Sequence, residues 1–165
     1  MPHNHTDYTF IGTEGDDVFY GTGGYDSTGP KGNDLIFGLG GNDILVGSSG
    51  HDEIHGGDGN DLIDGYKGED HLYGGAGSDT FYYGYPGFSR ADRPNLMDTI
   101  FDFETGVDKI ELSGGYFAGA DWSNVTVTPD SGGWLVFVDV PHFAYPDMTV
   151  MVLGTEPVET DFIFS

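Results

Sequence analysis

A glycine recurs every ninth residue from Gly12 to Gly74, with a single step of eight, and an aspartate follows each one five places later. Written this way, residues 12–82 divide into Gly12–Tyr20, Gly21–Thr28, Gly29–Phe37, Gly38–Val46, Gly47–His55, Gly56–Asp64, Gly65–Tyr73 and Gly74–Tyr82, the second unit being one residue short. The fourth position is again glycine: Gly15, Gly24, Gly32, Gly41, Gly50, Gly59, Gly68 and Gly77. The sixth is Asp17, Asp26, Asp34, Asp43, Asp52, Asp61, Asp70 and Asp79. The eighth is Phe19, Thr28, Ile36, Leu45, Ile54, Ile63, Leu72 and Phe81, apolar except at Thr28. A flexible Gly/Asp-rich linker has no reason to keep an apolar residue at every ninth place. A stacked repeat does, because each unit buries its apolar face only against the next.

The spacing carries its own geometry. Six residues with two glycines make a tight turn. Three residues with the middle one apolar make a short strand whose central side chain points inward. Two units complete one coil, so each aspartate sits above the one two units later. The candidate pairs are Asp17/Asp34, Asp26/Asp43, Asp34/Asp52, Asp43/Asp61, Asp52/Asp70 and Asp61/Asp79, the first two spanning the short unit. Two carboxylates with turn carbonyls form an oxygen cage suited to Ca²⁺. The charge points the same way. Lys and Arg total 5 against 28 Asp and Glu, for a formal charge of -23. That excludes nucleic acid and anionic membrane surfaces as partners and calls for cations. Six Ca²⁺ would offset about half of it. With no Cys, disulfides and thiolate metal sites are excluded. The apolar side chains are too few to order about 70 glycine-rich residues by burial. The chain is therefore expected to fold on binding calcium.

The repeat resembles the nonapeptide repeat of RTX (hemolysin-type) calcium-binding proteins. The resemblance implies that Ca²⁺ is also held by carbonyls of the second and fourth positions of one turn and the first and third of the stacked turn. For Asp43/Asp61 these are Leu39, Gly41, Gly56 and Asp58; the same rule adds Gly32, Gly47, Gly50, Gly59, Gly65 and Gly74. Beyond Tyr82 the period stops, and 84–97 reads as an irregular loop. Gly106-Val107-Asp108-Lys109-Ile110 repeats the Gly-x-Asp-x-apolar core and Asp98-Thr99-Ile100 repeats part of it, so Asp98 and Asp108 are further candidate ligands. The stretch Asp98–Ser113 is similar to the C-terminal region of serralysin-type metalloproteases and to the modules of secreted alginate epimerases, where it closes the roll.

Val125–Thr128, Trp134–Val140 and Thr149–Leu153 read as antiparallel strands around a Ser131-Gly132-Gly133 turn. The expected fold is all-β: a lead-in over 1–11, a parallel β-roll over 12–82, and a C-terminal antiparallel β cap over 83–165. Glu159-Thr160-Asp161-Phe162-Ile163-Phe164-Ser165 resembles the uncleaved C-terminal export signal of type I secretion substrates, and reads equally as a last cap strand. The first residues lack the basic and apolar regions of a cleavable signal peptide, and no apolar run is long enough to span a membrane. The type I secretion apparatus is thus the expected export partner, and the expected location is extracellular.

No enzymatic constellation is complete. His51-Asp52-Glu53-Ile54-His55 places its Glu third, where the helical zinc-protease motif needs it second, and Gly50 and Gly56 flank it. His3 and His5 lie at the frayed N-terminus, and no nucleophile elbow or phosphate loop occurs. A non-catalytic role is expected. Tyr20, Phe37, His55 and Tyr73, at ninth positions, are expected to form an outward ladder of rings, covered by the N-terminal strand or the cap. The alternative is a carbohydrate- or surface-binding module of a larger secreted enzyme, with Lys31, Lys67, Arg90, Arg93 and Lys109 the only cations to meet an anionic polymer.

Overall fold

The computed structural model describes residues 7–21, 32–84, 97–114, 117–139 and 148–165. Asp26, Gly24, Thr28, Gly29, His3, His5, Val140 and most of the 84–97 loop lie outside them. Among the described residues there is no α-helix; fourteen strands form two sheets. The strands are β1 Thr9–Ile11, β2 Val18–Tyr20, β3 Leu35–Gly40, β4 Ile44–Val46, β5 Glu53–Asp58, β6 Leu62–Asp64, β7 His71–Ala76, β8 Thr80–Tyr83, β9 Asp98–Phe103, β10 Lys109–Leu112, β11 Val125–Asp130, β12 Gly133–Val138, β13 Met148–Gly154 and β14 Phe162–Phe164.

Successive strands alternate between the sheets, as a two-unit coil requires. One sheet runs β1-β3-β5-β7-β9-β13-β12-β11 and the other β14-β10-β8-β6-β4-β2. All pairs in the roll are parallel and in register: Ile36 opposes Ile54, which opposes Leu72, and Leu45 opposes Ile63, which opposes Phe81. These eighth-position side chains are fully buried between the sheets, and Ile100 and Ile110 extend the same columns. Period-2 alternation explains why: with the central residue inward, its two neighbours face out.

The first coil departs from the expected register. Asp43 stands over Asp17, 26 residues away, whereas the regular step is 18. Thr9 likewise opposes Leu35, and Val18 opposes Ile44. The pair Asp17/Asp34 is therefore not formed. The excess of eight residues equals the short unit, so the turn from β2 to β3 opens at Gly21 and closes at Asp34. A side chain on Gly21 would meet the Asp34 carboxylate, as one on Gly38 would meet Asp43. The shift also changes parity, placing Tyr20 in the second sheet, away from Phe37.

At the other end the cap continues both sheets. β13 joins β9 in parallel, and β12 and β11 follow antiparallel around a two-residue Ser131-Gly132 hairpin loop. β14 lies parallel on β10, so the terminal Phe162-Ile163-Phe164 is a roll strand. Its position is fixed by Asp161, which is buried and accepts the N–H groups of Gly106 and Val158 at 2.9 and 3.0 Å, with Lys109 Nζ at 3.6 Å.

Candidate metal centre

Each turn ends in an aspartate whose two oxygens have different environments. Oδ1 accepts the backbone N–H of the aspartate one coil earlier: Asp43 from Asp17, Asp61 from Asp43, Asp79 from Asp61 and Asp108 from Asp79, at 2.8–3.1 Å. On the opposite edge Asp52 accepts from Asp34, Asp70 from Asp52 and Asp98 from Asp70, at 2.7–3.0 Å. The other oxygen, Oδ2, of Asp43, Asp52, Asp61, Asp70 and Asp79 is buried and has no hydrogen-bond partner. A buried carboxylate oxygen without a donor is costly, and a cation in the gap would offset that cost.

The backbone leaves room for one. A Cβ built on Gly38 would overlap both Oδ2 of Asp43 and the carbonyl oxygen of Gly56; Gly56 stands in the same relation to Asp61 and Gly74. The first-position glycines are thus the open side of each cage. Carbonyls of Gly32, Gly41, Gly50 and Gly59 lie against the fourth-position glycines of the next coil, and that of Leu39 lies against Gly57. The carbonyl of Asp58 differs, since it accepts the Gly41 N–H at 2.9 Å and has only its second lone pair to offer. Among the described residues no group of three or more His, Asp or Glu side chains has metal-holding geometry. The cages are built from two carboxylates and main-chain oxygens, a donor set of hard oxygens that fits Ca²⁺.

Electrostatics agrees. Burial, the largest cause in each case, raises Asp52 to about 8 and Asp79 to about 6, with neighbouring carboxylates adding to it. Asp43, Asp61 and Asp108 are raised for the same first reason, and Asp70 well above the usual range, with Asp98 and Asp52 beside it. The folded turns thus crowd buried carboxyls whose charged form is disfavoured without a counter-charge.

The ladder places Asp34/Asp52, Asp43/Asp61, Asp52/Asp70 and Asp61/Asp79 on adjacent coils as expected, replaces Asp17/Asp34 by Asp17/Asp43, and adds Asp70/Asp98 and Asp79/Asp108. Asp98 and Asp108 are buried like the repeat aspartates. Both ends of one edge are closed by the backbone: Oδ2 of Asp17 accepts the Thr13 N–H at 2.6 Å, and Oδ2 of Asp108 the Glu104 N–H at 2.8 Å.

Two features escaped the sequence reading. Fifth-position side chains form a second ladder, with Asp16 accepting the N–H of Asn42, Asn42 that of Asn60, and Asn60 that of Ser78, at 2.7–2.9 Å. The Asn and Asp at that position were the available signal. Leu39, Ser48 and Tyr66, all at second positions, are left-handed, with φ of 80°, 80° and 71°.

The histidines of 51–55 serve elsewhere. His51 Nδ1 lies 3.2 Å from the Glu69 backbone, and His55 Nε2 is 2.8 Å from Glu53. His55 stacks between Phe37 and Tyr73, and Tyr73 on Phe101, with ring centroids 4.8, 4.3 and 4.6 Å apart. The outward ladder is therefore Phe37–His55–Tyr73–Phe101, with Phe101 in place of Tyr20. It is half-buried by its own stacking. Nearly parallel rings at coil spacing cover each other's faces, so solvent meets their edges.

Comparison with known proteins agrees with this geometry. The RTX calcium-binding nonapeptide repeat family matches residues 9–27, 29–54 and 46–81, in four copies. No curated protein sequence matches the chain. The solution structure of the AlgE6R2 subunit of the Azotobacter vinelandii mannuronan C5-epimerase is similar in fold, with 23% identity and a TM-score of 0.59 over 80% of this chain and 88% of that one. That of the AlgE6R3 subunit of the same enzyme has 25% identity and a TM-score of 0.40, covering 94% and 81%. Period, turn geometry and family match agree over residues 9–81, a stretch that matches the RTX calcium-binding nonapeptide repeat.

Proposed function

We propose that the chain is a non-catalytic extracellular module whose roll folds around Ca²⁺ after export by a type I secretion apparatus. The observation that carries this is the row of buried Oδ2 atoms on Asp43, Asp52, Asp61, Asp70 and Asp79, each lacking a donor and each facing a first-position glycine. Calcium supplies the charge that these oxygens lack. The chain's own part is to aim them: Oδ1 is fixed by the next N–H in the ladder, and the turn carbonyls complete the cage. Asp17, Asp34, Asp98 and Asp108 hold the outer steps. In a low-calcium cytosol the repulsion between stacked carboxylates keeps the chain open, as threading through an exporter requires. Extracellular calcium modules bind at about 10⁻⁴–10⁻³ M, and each tenfold excess over Kd adds ~1.4 kcal/mol per ion to the fold.

The test is far-UV circular dichroism during a calcium titration from chelator to about 10 mM. A cooperative coil-to-β transition near millimolar calcium is expected. A spectrum already β-rich in chelator, unchanged by calcium, would reject the reading.

A further inference from the structure

The described turns are of two kinds. In those that end at Asp43, Asp52, Asp61, Asp70 and Asp79, Oδ2 is buried without a partner. In those that end at Asp17 and Asp108, Oδ2 is taken by the N–H four residues earlier, from Thr13 at 2.6 Å and from Glu104 at 2.8 Å. One backbone position separates the two kinds. Four residues before the open aspartates stand Leu39, Ser48, Gly57, Tyr66 and Gly75, all left-handed, with φ of 80°, 80°, 116°, 71° and 99°. Thr13 and Glu104 are not left-handed. Leu39, Ser48 and Tyr66 are moreover the only non-glycine residues with positive φ among the described residues. That backbone is unfavourable for a residue with a Cβ, so its recurrence at one place of the turn points to a task. With it, the N–H does not reach the carboxylate; that of Gly75 goes to Oδ2 of Asp102 at 3.0 Å. The space is alike in both kinds. A Cβ on Gly12 would meet Oδ2 of Asp17 and the Gly38 carbonyl oxygen, as one on Gly38 would meet Oδ2 of Asp43 and the Gly56 carbonyl oxygen. The first turn thus has the shape of a cage and differs in where one N–H goes.

We propose that the second residue of each turn decides whether its aspartate takes an ion: left-handed, it leaves Oδ2 free for calcium; otherwise its own N–H occupies Oδ2, and the turn holds no ion. The proposal rests on the calcium reading above. It gives the strained backbone of Leu39, Ser48 and Tyr66 a function. It also lets the array stop at Asp17 and Asp108 without an orphaned carboxylate, because an N–H bonded to a charged oxygen satisfies it.

Equilibrium dialysis of the full chain against saturating calcium counts the bound ions for wild type, Thr13→Gly, Thr13→Ala and Leu39→Thr, with folding followed by circular dichroism. Glycine at position 13 is free to turn left-handed, and Thr13→Gly is expected to bind one ion more than wild type. Thr13→Ala removes the hydroxyl, which lies 3.0 Å from the same Oδ2, and keeps the N–H. It is expected to keep the wild-type count. A β-branched residue resists the left-handed region, so Leu39→Thr is expected to bind one ion fewer; Leu39 is exposed, and little packing is lost. A folded Thr13→Gly or Leu39→Thr protein with the wild-type count overturns the proposal. So does a Thr13→Ala protein that gains an ion, since the hydroxyl would then be what closes the turn. Should Leu39→Thr not fold, Thr13→Gly decides. Wild type binding no calcium would instead sink the calcium reading itself, which separates the two failures.

Discussion

Oδ1 of Asp61 accepts the backbone N–H of Asp43 at 2.8 Å, while Oδ2 of Asp61 is buried with no partner. One carboxylate thus does two jobs, setting the spacing of adjacent coils and presenting charge to the gap between them. The jobs separate by mutation. Asp61→Asn keeps an acceptor for the Asp43 N–H and removes the charge. Its calcium midpoint should rise on the order of tenfold, with one ion fewer by isothermal titration calorimetry. Asp61→Ala removes both functions and should cost more. An Asp61→Asn protein with wild-type stoichiometry and midpoint would exclude Oδ2 as a ligand.

The metal-free roll should respond to pH in the opposite sense from calcium binding. Asp52, Asp64 and Asp79 are raised from 3.8 to about 8, 7 and 6, chiefly by burial. A carboxyl raised on folding favours the folded state most below its unfolded value and loses that contribution as pH rises through the folded value. Between about pH 8 and about pH 5, metal-free protein should therefore gain β structure on acidification. The calcium midpoint should rise over the same window, because protons compete with the ion. Circular dichroism at both pH values, with and without calcium, checks both signs. Equal metal-free spectra and a pH-independent midpoint would contradict them.

Leu39 opposes Gly57, which opposes Gly75, and all three are left-handed, with φ of 80°, 116° and 99°. A left-handed non-glycine costs about 1–2 kcal/mol, against roughly 0.5–1 kcal/mol for the greater unfolded freedom of glycine. The Leu39 side chain is 42% exposed, so little burial is lost. Leu39→Gly in saturating calcium should raise Tm by roughly 2–4 °C. Tyr66→Gly should not, because Tyr66 is buried and its contacts are lost with the ring. A lower Tm for Leu39→Gly would show that the leucine is not strained.

How much of this was legible follows from what a period can encode. Asp43/Asp61 and Ile54/Leu72 could be paired by counting, because an 18-residue step and an inward eighth position are properties of the repeat itself. Asp98 could be found because Asp-Thr-Ile retains the end of a turn and the start of a strand. The left-handed backbone of Ser48 could not, because its φ leaves no mark in the period. Left-handed Leu39 was hidden too, since nothing about a leucine signals positive φ. The misread first coil is more instructive. Gly21–Thr28 has the turn residues of a unit, but it lacks an apolar eighth residue. Thr28 is polar at the position that elsewhere points inward, and the register of the described coils steps by 26 residues across its unit.

That reading yields a deletion test. The turn from Gly21 to Asp34 has eight residues more than the turn from Gly38 to Asp43, while the strands on either side, β2 and β3, stay in register with β4 and β1. Removing 22–29 leaves Gly21-Pro30-Lys31-Gly32-Asn33-Asp34, a regular six-residue turn with its fourth-position glycine and closing aspartate intact. If the extra residues lie outside the coil, the deletion should leave the calcium count and midpoint unchanged. Shortening the loop should stabilise slightly, by about 0.6 kcal/mol per halving of loop length. If Asp26 instead completes a cage with Asp43, the deletion should remove an ion and raise the midpoint. Calorimetry on the deletion variant separates the outcomes, and an Asp26→Ala variant with wild-type binding would agree with the first.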